Sequence, residues 1–164
     1  MRVNVTGYML CGSAFPCPSN LQTPDNQHMH ILIVDDEPLA RARLRTLLGD
    51  CEHGPHHVQE AGDAQQALQF LQTPQATPVQ LILLDIHMPS QSGLQLAQTR
   101  AGMESPPVIV FVTAHANHAL QAFELDAADY LTKPVRLERL QQALQKAERS
   151  FSLRASVSTG PSLL

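Results

Sequence analysis

With 164 residues and 43% hydrophobic content, the chain is long enough for one domain with a sizeable core and spare length at its ends. Only 16% of residues are charged and 4% aromatic, so the core must be built mainly from Leu, Ile, Val and Ala. A net charge of −4 excludes an electrostatic footprint for nucleic acid or an anionic membrane, and no apolar run approaches the roughly 20 residues needed to cross a bilayer.

Residues 1–28 read as a disordered leader. Gly12-Ser13, Pro16, Pro18 and Pro24 interrupt any regular element, and a lone Arg2 followed by polar residues does not make a signal peptide. The three cysteines, Cys11, Cys17 and Cys51, are odd in number and lack metal-ligand spacing, which points to a reduced, cytoplasmic setting.

A domain is expected over 29–150. Short apolar runs fall at 31–34, 58–61, 81–84, 108–112 and 130–131. The first, third and fourth are almost continuously aliphatic, as parallel strands covered on both faces require. Helical periods lie between and after them. Ala40, Leu44, Leu47 and Leu48 share one face, as do Ala64, Ala67, Leu68 and Leu71, with Asp63 placed to cap the second helix. Leu94, Ala97 and Ala101 suggest a third helix, and Ala119, Leu120, Ala122 and Phe123 a fourth. Leu137, Leu140, Leu144 and Ala147 mark a fifth. Five strand-then-helix repeats predict an α/β fold with an open, doubly wound, five-stranded parallel sheet. Past residue 150 the composition shifts to Ser, Thr, Gly and Pro, so 151–164 reads as an exposed tail or the start of a linker.

In such sheets chemistry collects at the carboxyl ends of the strands. Asp35-Asp36, Asp85, Thr113 and Lys133 each follow an apolar run. If the first and third strands are neighbours, three carboxylates converge. Two such charges about 4 Å apart repel by roughly 4 kcal/mol at an effective dielectric near 20, so a bound cation is expected. An oxygen-rich site with few protein ligands suits Mg²⁺. Lys133 and the Thr113 hydroxyl would stabilise charge on a transferring phosphoryl group, and a carboxylate beside the metal would serve as its nucleophile.

The motifs Asp35-Asp36-Glu37-Pro38, Asp85-Ile86-His87-Met88-Pro89 with Gly93, Thr113-Ala114, and Asp129-Tyr130-Leu131-Thr132-Lys133-Pro134 resemble the response-regulator receiver family, over about residues 30–149. Any one piece is weak; four in order, each at a strand end, are specific. The resemblance implies a flavodoxin-like (βα)5 fold and a phosphorylation-activated switch. Asp85 would accept a phosphoryl group from a sensor histidine kinase. Asp36 and Asp85 would bind Mg²⁺ directly, the His87 backbone carbonyl would complete the protein ligands, and Asp35 would reach the metal or its water. Lys133 would contact the phosphoryl group beside a cis Lys133-Pro134 bond. Thr113 would swing toward the phosphate and Tyr130 would follow it inward. The output would be homodimerisation through the fourth helix, fifth strand and fifth helix, with Leu120, Phe123, Leu137 and Leu140 packing beneath that surface. The Asp36 to Asp85 spacing is slightly long for the family, with the excess assigned to the loops at 51–57 or 73–78.

Two stretches narrow the resemblance: Asp35-Asp36-Glu37-Pro38-Leu39-Ala40-Arg41, and Phe111-Val112-Thr113-Ala114-His115 with Ala122-Phe123 and Ala128-Asp129-Tyr130-Leu131. They look like receivers of LytTR-type (LytR/AlgR-like) transcriptional regulators, in which a DNA-binding domain follows. The residues after the last helix are too few to encode one, so DNA would be reached only through a further domain. The alternative is a single-domain receiver acting by protein–protein interaction.

Each residue also has an ordinary role. Asp35-Asp36 could cap a helix, Asp85 could open a turn, Thr113 suits any strand, and Tyr130 suits any core. The joint arrangement favours the site. His53, His56 and His57 suggest zinc only weakly, lacking a clear fourth ligand. His115 and His118 sit where they could tune access to Asp85. A Mg²⁺-dependent aspartyl-phosphate phosphatase would need Asp-x-Asp after the first strand, where adjacent Asp35-Asp36 stand instead. A flavodoxin-like binding module would need a Gly-rich or Ser/Thr-rich phosphate loop after Val34, and none is present.

Overall fold

The aliphatic runs become the centre of one parallel sheet. The structure, a computed structural model, describes residues 28–52, 55–74, 78–89 and 92–158, with the backbone alone at 118, 120, 121 and 155–158. The strands are β1 (His30–Val34), β2 (His57–Ala61), β3 (Leu81–Asp85), β4 (Val108–Thr113) and β5 (Asp129–Thr132). Their spatial order is β2-β1-β3-β4-β5 and every pairing is parallel. β3 and β4 are buried along their whole length, which is why their side chains do not alternate in polarity. β1 and β3 are neighbours, as the convergence of carboxylates requires.

Helices cover both faces: α1 (Pro38–Gly49), α2 (Ala64–Gln72), α3 (Gly93–Arg100), α4 (Ala119–Glu124) and α5 (Leu137–Ser158), with one 3₁₀ turn at Ala116–His118 before α4. Ile31, Ile33, Leu83, Val110 and Val112 face Leu44 and Leu48 of α1 and Leu140, Ala143 and Leu144 of α5. The intervening residues Leu32, Val34, Leu84, Ile109 and Phe111 face Ala64 and Ala67 of α2, Leu96 and Ala97 of α3, and Ala122 of α4. The period of two in the strands therefore assigns each residue to one of two cores. Asp63 caps α2, accepting the Gln66 N–H at 2.7 Å.

Two expectations need correction. The last helix does not end at residue 150 but runs to Ser158, so the first eight residues of the expected tail are helical. Residues 151–158 contain neither Gly nor Pro to stop a helix; Phe151 packs against the core and Arg154 bonds the Pro106 carbonyl. Phe123 does not pack beneath α4: it is 83% exposed, while Ala122 makes the buried contact. The Leu120 side chain lies outside the described residues, as do residues 1–27 and 159–164. The loops at 51–57 and 73–78 lead into the amino ends of β2 and β3, away from the carboxyl ends, although 53–54 and 75–77 are also outside the described residues. No helix among the described residues is long and apolar enough to cross a membrane.

Candidate functional site

The carboxyl ends of β1, β3, β4 and β5 deliver Asp35, Asp85, Thr113 and Lys133 to one edge of the sheet. Carboxylate oxygens of Asp35, Asp36 and Asp85 all lie within 4.8 Å of one another. Asp35 and Asp85 are buried, whereas Asp36 is exposed. Lys133 reaches into the cluster from β5: Nζ donates to Asp35 Oδ2 at 2.7 Å and to Asp85 Oδ2 at 3.3 Å. The Lys133-Pro134 peptide is cis.

Asp35 is not a conventional cap of α1. The cap position belongs to Glu37, whose own side chain makes no capping bond; Asp35 Oδ1 accepts the Glu37 N–H at 2.9 Å. That leaves the second oxygen for Lys133. Asp85 is held in the same manner, with Oδ1 accepting the His87 N–H at 3.1 Å. Each buried acid thus has one oxygen fixed by its own loop and the other turned to the shared space.

Burial pushes the Asp85 carboxyl above its ordinary pKa, and Asp35 adds to this, while the His87 N–H and Lys133 act in opposition without cancelling it. For Lys133, burial alone would depress the ammonium, but hydrogen bonding to Asp35 and the charges of Asp85 and Asp35 outweigh it, and the net shift is upward. Lys133 stays charged.

A cavity of about 370 Å³ opens over the cluster, lined by Asp36, Glu37, Asp85, His87, Thr113, Ala114, His115 and Lys133. Thr113 is fully buried, and its Oγ accepts the His115 N–H at 3.2 Å. Across the mouth, the rings of His87 and His115 pack with centroids 4.8 Å apart. Tyr130 lies beside the cavity, its hydroxyl donating to the His115 carbonyl. Asp35, Asp36, Asp85, His87, Thr113, Tyr130 and Lys133 therefore meet here. His118 has no described side chain. The weaker histidine set does not assemble: His53 is outside the described residues, His56 Nδ1 accepts the Met29 N–H at 3.2 Å, and His57 stacks on His30.

Gly93 has a role that a motif match alone did not disclose. A Cβ built there would lie 2.1 Å from the Asp85 carbonyl oxygen and 3.0 Å from its carbon. Only glycine lets the first turn of α3 approach the backbone that carries Asp85. The signal in the sequence was its place at the start of a helical period, seven residues after Ile86.

The donor set is hard and acidic, with one fixed cation beside it, which suits an oxyanion ligand paired with a hard metal ion. Comparison with known proteins agrees. Residues 31–145 match the family described as Response regulator receiver domain. The Positive alginate biosynthesis regulatory protein of Pseudomonas aeruginosa is 41% identical over 133 residues, covering 81% of this chain and 52% of that protein. The Sensory transduction protein LytR of Staphylococcus haemolyticus is 44% identical over 124 residues, covering 76% of this chain and 47% of that protein. The chain thus spans about half the length of the curated relatives it matches. Among solved structures, the response regulatory domain of protein mrkE from Klebsiella pneumoniae superposes with a TM-score of 0.66 at 37% identity, covering 76% of this chain and 99% of that one. Fold, acidic site and relatives coincide, and the chain belongs to the response-regulator receiver family, the signalling domain of two-component systems.

Proposed function

We propose that Asp85 accepts a phosphoryl group from the phosphohistidine of a sensor kinase. What supports this is the convergence of Asp35, Asp36 and Asp85 around one cavity with Lys133 bridging two of them. The Asp85 oxygen that faces Lys133 would attack phosphorus, forming an O–P bond as the N–P bond breaks and its electron pair leaves with the kinase imidazole. Lys133 would hold the incoming phosphoryl oxygens, exchanging part of its bond to Asp85 for them. Thr113 would donate its hydroxyl to the same group, releasing the His115 N–H it now accepts.

The three carboxylates fit Mg²⁺, which would be held by Asp36, Asp85 and the His87 carbonyl, with Asp35 alongside. Bound there, the ion would supply charge neutralisation for the phosphoryl oxygens. The site residues do the rest: they fix the acceptor carboxylate through the His87 N–H and provide Lys133.

The consequence would be a switch. Tyr130 is tied to the His115 carbonyl, two residues past Thr113, so movement of Thr113 is felt at β5. The α4-β5-α5 face would then pair with a second copy, and transcription would be controlled through a DNA-binding region beyond these residues.

The test is intact mass after incubation with a small phosphodonor, with and without Mg²⁺, for wild type and Asp85→Asn. One added phosphoryl group that needs both Mg²⁺ and Asp85 is the expected result. An adduct that survives Asp85→Asn would refute the assignment.

A further inference from the structure

Two arginines from different helices converge on the turn between α4 and β5. Arg100, the last residue of α3, is only 5% exposed, and main-chain carbonyls surround its guanidinium. Nη1 donates to Pro107 at 2.7 Å, and Nη2 to Leu125 at 3.0 Å and Asp126 at 3.2 Å. Arg154, in the stretch of α5 past residue 150, repeats the pattern from outside: Nη1 donates to the Pro106 carbonyl at 3.1 Å and Nη2 to the Asp126 carboxylate at 3.3 Å. Each arginine therefore bridges the same two segments, the entry to β4 and the turn that closes α4.

That turn carries a backbone anomaly. Asp126 has φ 56°, the one positive φ at a non-glycine among the described residues. Its N–H donates to Phe123 and the Ala127 N–H to Ala122, the pair of bonds that closes a helix through a left-handed residue. Glycine is the usual occupant and aspartate a tolerated one, at some conformational cost. Glycine would satisfy the turn. It would not supply the carboxylate that Arg154 holds.

The elements joined here differ in how firmly they are anchored. α4 has six residues, with Ala122 buried and Phe123 in solvent, and short, lightly packed elements are those that move. α5 is fixed through Leu140, Ala143, Leu144 and Ala147. Past residue 147, Phe151 packs partly buried against the core and Arg154 makes the contacts just described. Burial, and after it the neighbouring Arg154, pull the Arg100 pKa down, and Asp126 opposes them without cancelling the shift.

We infer that the Arg154–Asp126 pair is a clasp through which displacement of α4, on phosphorylation of Asp85, is handed to the final turns of α5; this rests on Asp85 being the phosphoacceptor. The clasp places a readout of the switch at the end of the chain's last helix, separate from any surface on α4 itself.

Amide hydrogen exchange on the 164-residue chain tests it, comparing wild type, Asp126→Gly and Arg154→Ala, each with and without beryllofluoride and Mg²⁺. In wild type, exchange at 151–158 should change about two- to fivefold on adding beryllofluoride, the range an exposed ion pair can carry. In both variants it should be about two- to fivefold faster from the outset and unresponsive. Asp126→Gly removes the left-handed strain along with the carboxylate, so it separates loss of the clasp from loss of the fold. An equal response in wild type and both variants overturns the inference. A response at 85–88 without one at 151–158 in wild type also overturns it, and leaves the phosphoacceptor assignment standing. No response at 85–88 in wild type refutes that assignment, and the clasp's role falls with it.

Discussion

Lys133 holds Asp35 at 2.7 Å, closer than it holds the proposed acceptor Asp85 at 3.3 Å. The lysine is therefore anchored by a buried acid that need not react, and its weaker bond is the one phosphoryl transfer would exchange. Lys133→Met keeps the aliphatic stem but leaves two buried carboxylates without their cation. It should cost about 2 kcal/mol in metal-free buffer, since breaking a partly buried ion pair strands its charge. Added Mg²⁺ should restore more stability to the variant than to wild type; equal restoration in a thermal melt would show that the carboxylates do not share a metal.

Asp85→Asn should act in the opposite sense. Burial raises the Asp85 pKa, so its ionised form is disfavoured in the folded protein and lowers stability at neutral pH. Removing that charge should stabilise the metal-free protein by about 1 kcal/mol, or about 3 °C in Tm for a chain of this size. The stabilisation supplied by Mg²⁺ should shrink at the same time. A lower Tm in metal-free buffer would contradict the electrostatic account.

Gly93→Ala should be severe for so small a change. The new methyl meets main chain of Asp85 and Ile86, which cannot rotate away. A loss of about 3 kcal/mol in a urea titration is expected, with slower phosphorylation in the fraction that folds. A neutral outcome would mean α3 can shift away from Asp85 at little cost.

The site's boundary supplies a pH test. Asp129 would be raised by burial, but the Tyr130 N–H and the Arg139 and Lys146 cations outweigh this and hold its carboxyl below the ordinary range. A depressed folded-state pKa contributes stability above the unfolded value, and that stability is lost as pH falls through the folded value. Asp129→Asn should therefore cost about 1 kcal/mol at pH 7, because both cations are half exposed. The gap from wild type should close below pH 4. A gap unchanged by acid would assign the loss to packing.

His115 lines the cavity together with His87, their ring centroids 4.8 Å apart. Removing that ring with His115→Ala should ease the approach of water to phospho-Asp85 and shorten its lifetime about threefold, under 1 kcal/mol of barrier. Loss of radiolabel over time measures it directly, and an unchanged lifetime would remove His115 from any role in hydrolysis.

The strands and the acidic site were legible because local pattern and function coincide there. Ile31, Leu83 and Val110 could be assigned to a buried sheet from their runs; Asp35, Asp85 and Thr113 fell one residue beyond a run and Lys133 two. What escaped notice depends on partners distant in sequence. Arg100 looks like an ordinary basic residue at the end of a helix until Pro107, Leu125 and Asp126 close around it. The end of α5 was set too early because Ser-rich composition suggested a tail, whereas Phe151 and Arg154 find anchors elsewhere in the fold. Phe123 lies on a helix too short for periodicity to fix its buried face.

Among the described residues, the order of the strands leaves β2 and β5 with an open side each, and open strands invite growth of the sheet into a neighbour. Neither offers a good template. β2 exposes His57, Gln59 and Glu60, and Glu60 is gripped by Arg41 and Arg45. β5 is four residues long, and the Tyr130 carbonyl is engaged by Arg139 at 3.1 Å. Edges of this kind favour meetings side chain to side chain, a mode that can be made and unmade, over fusion of two sheets.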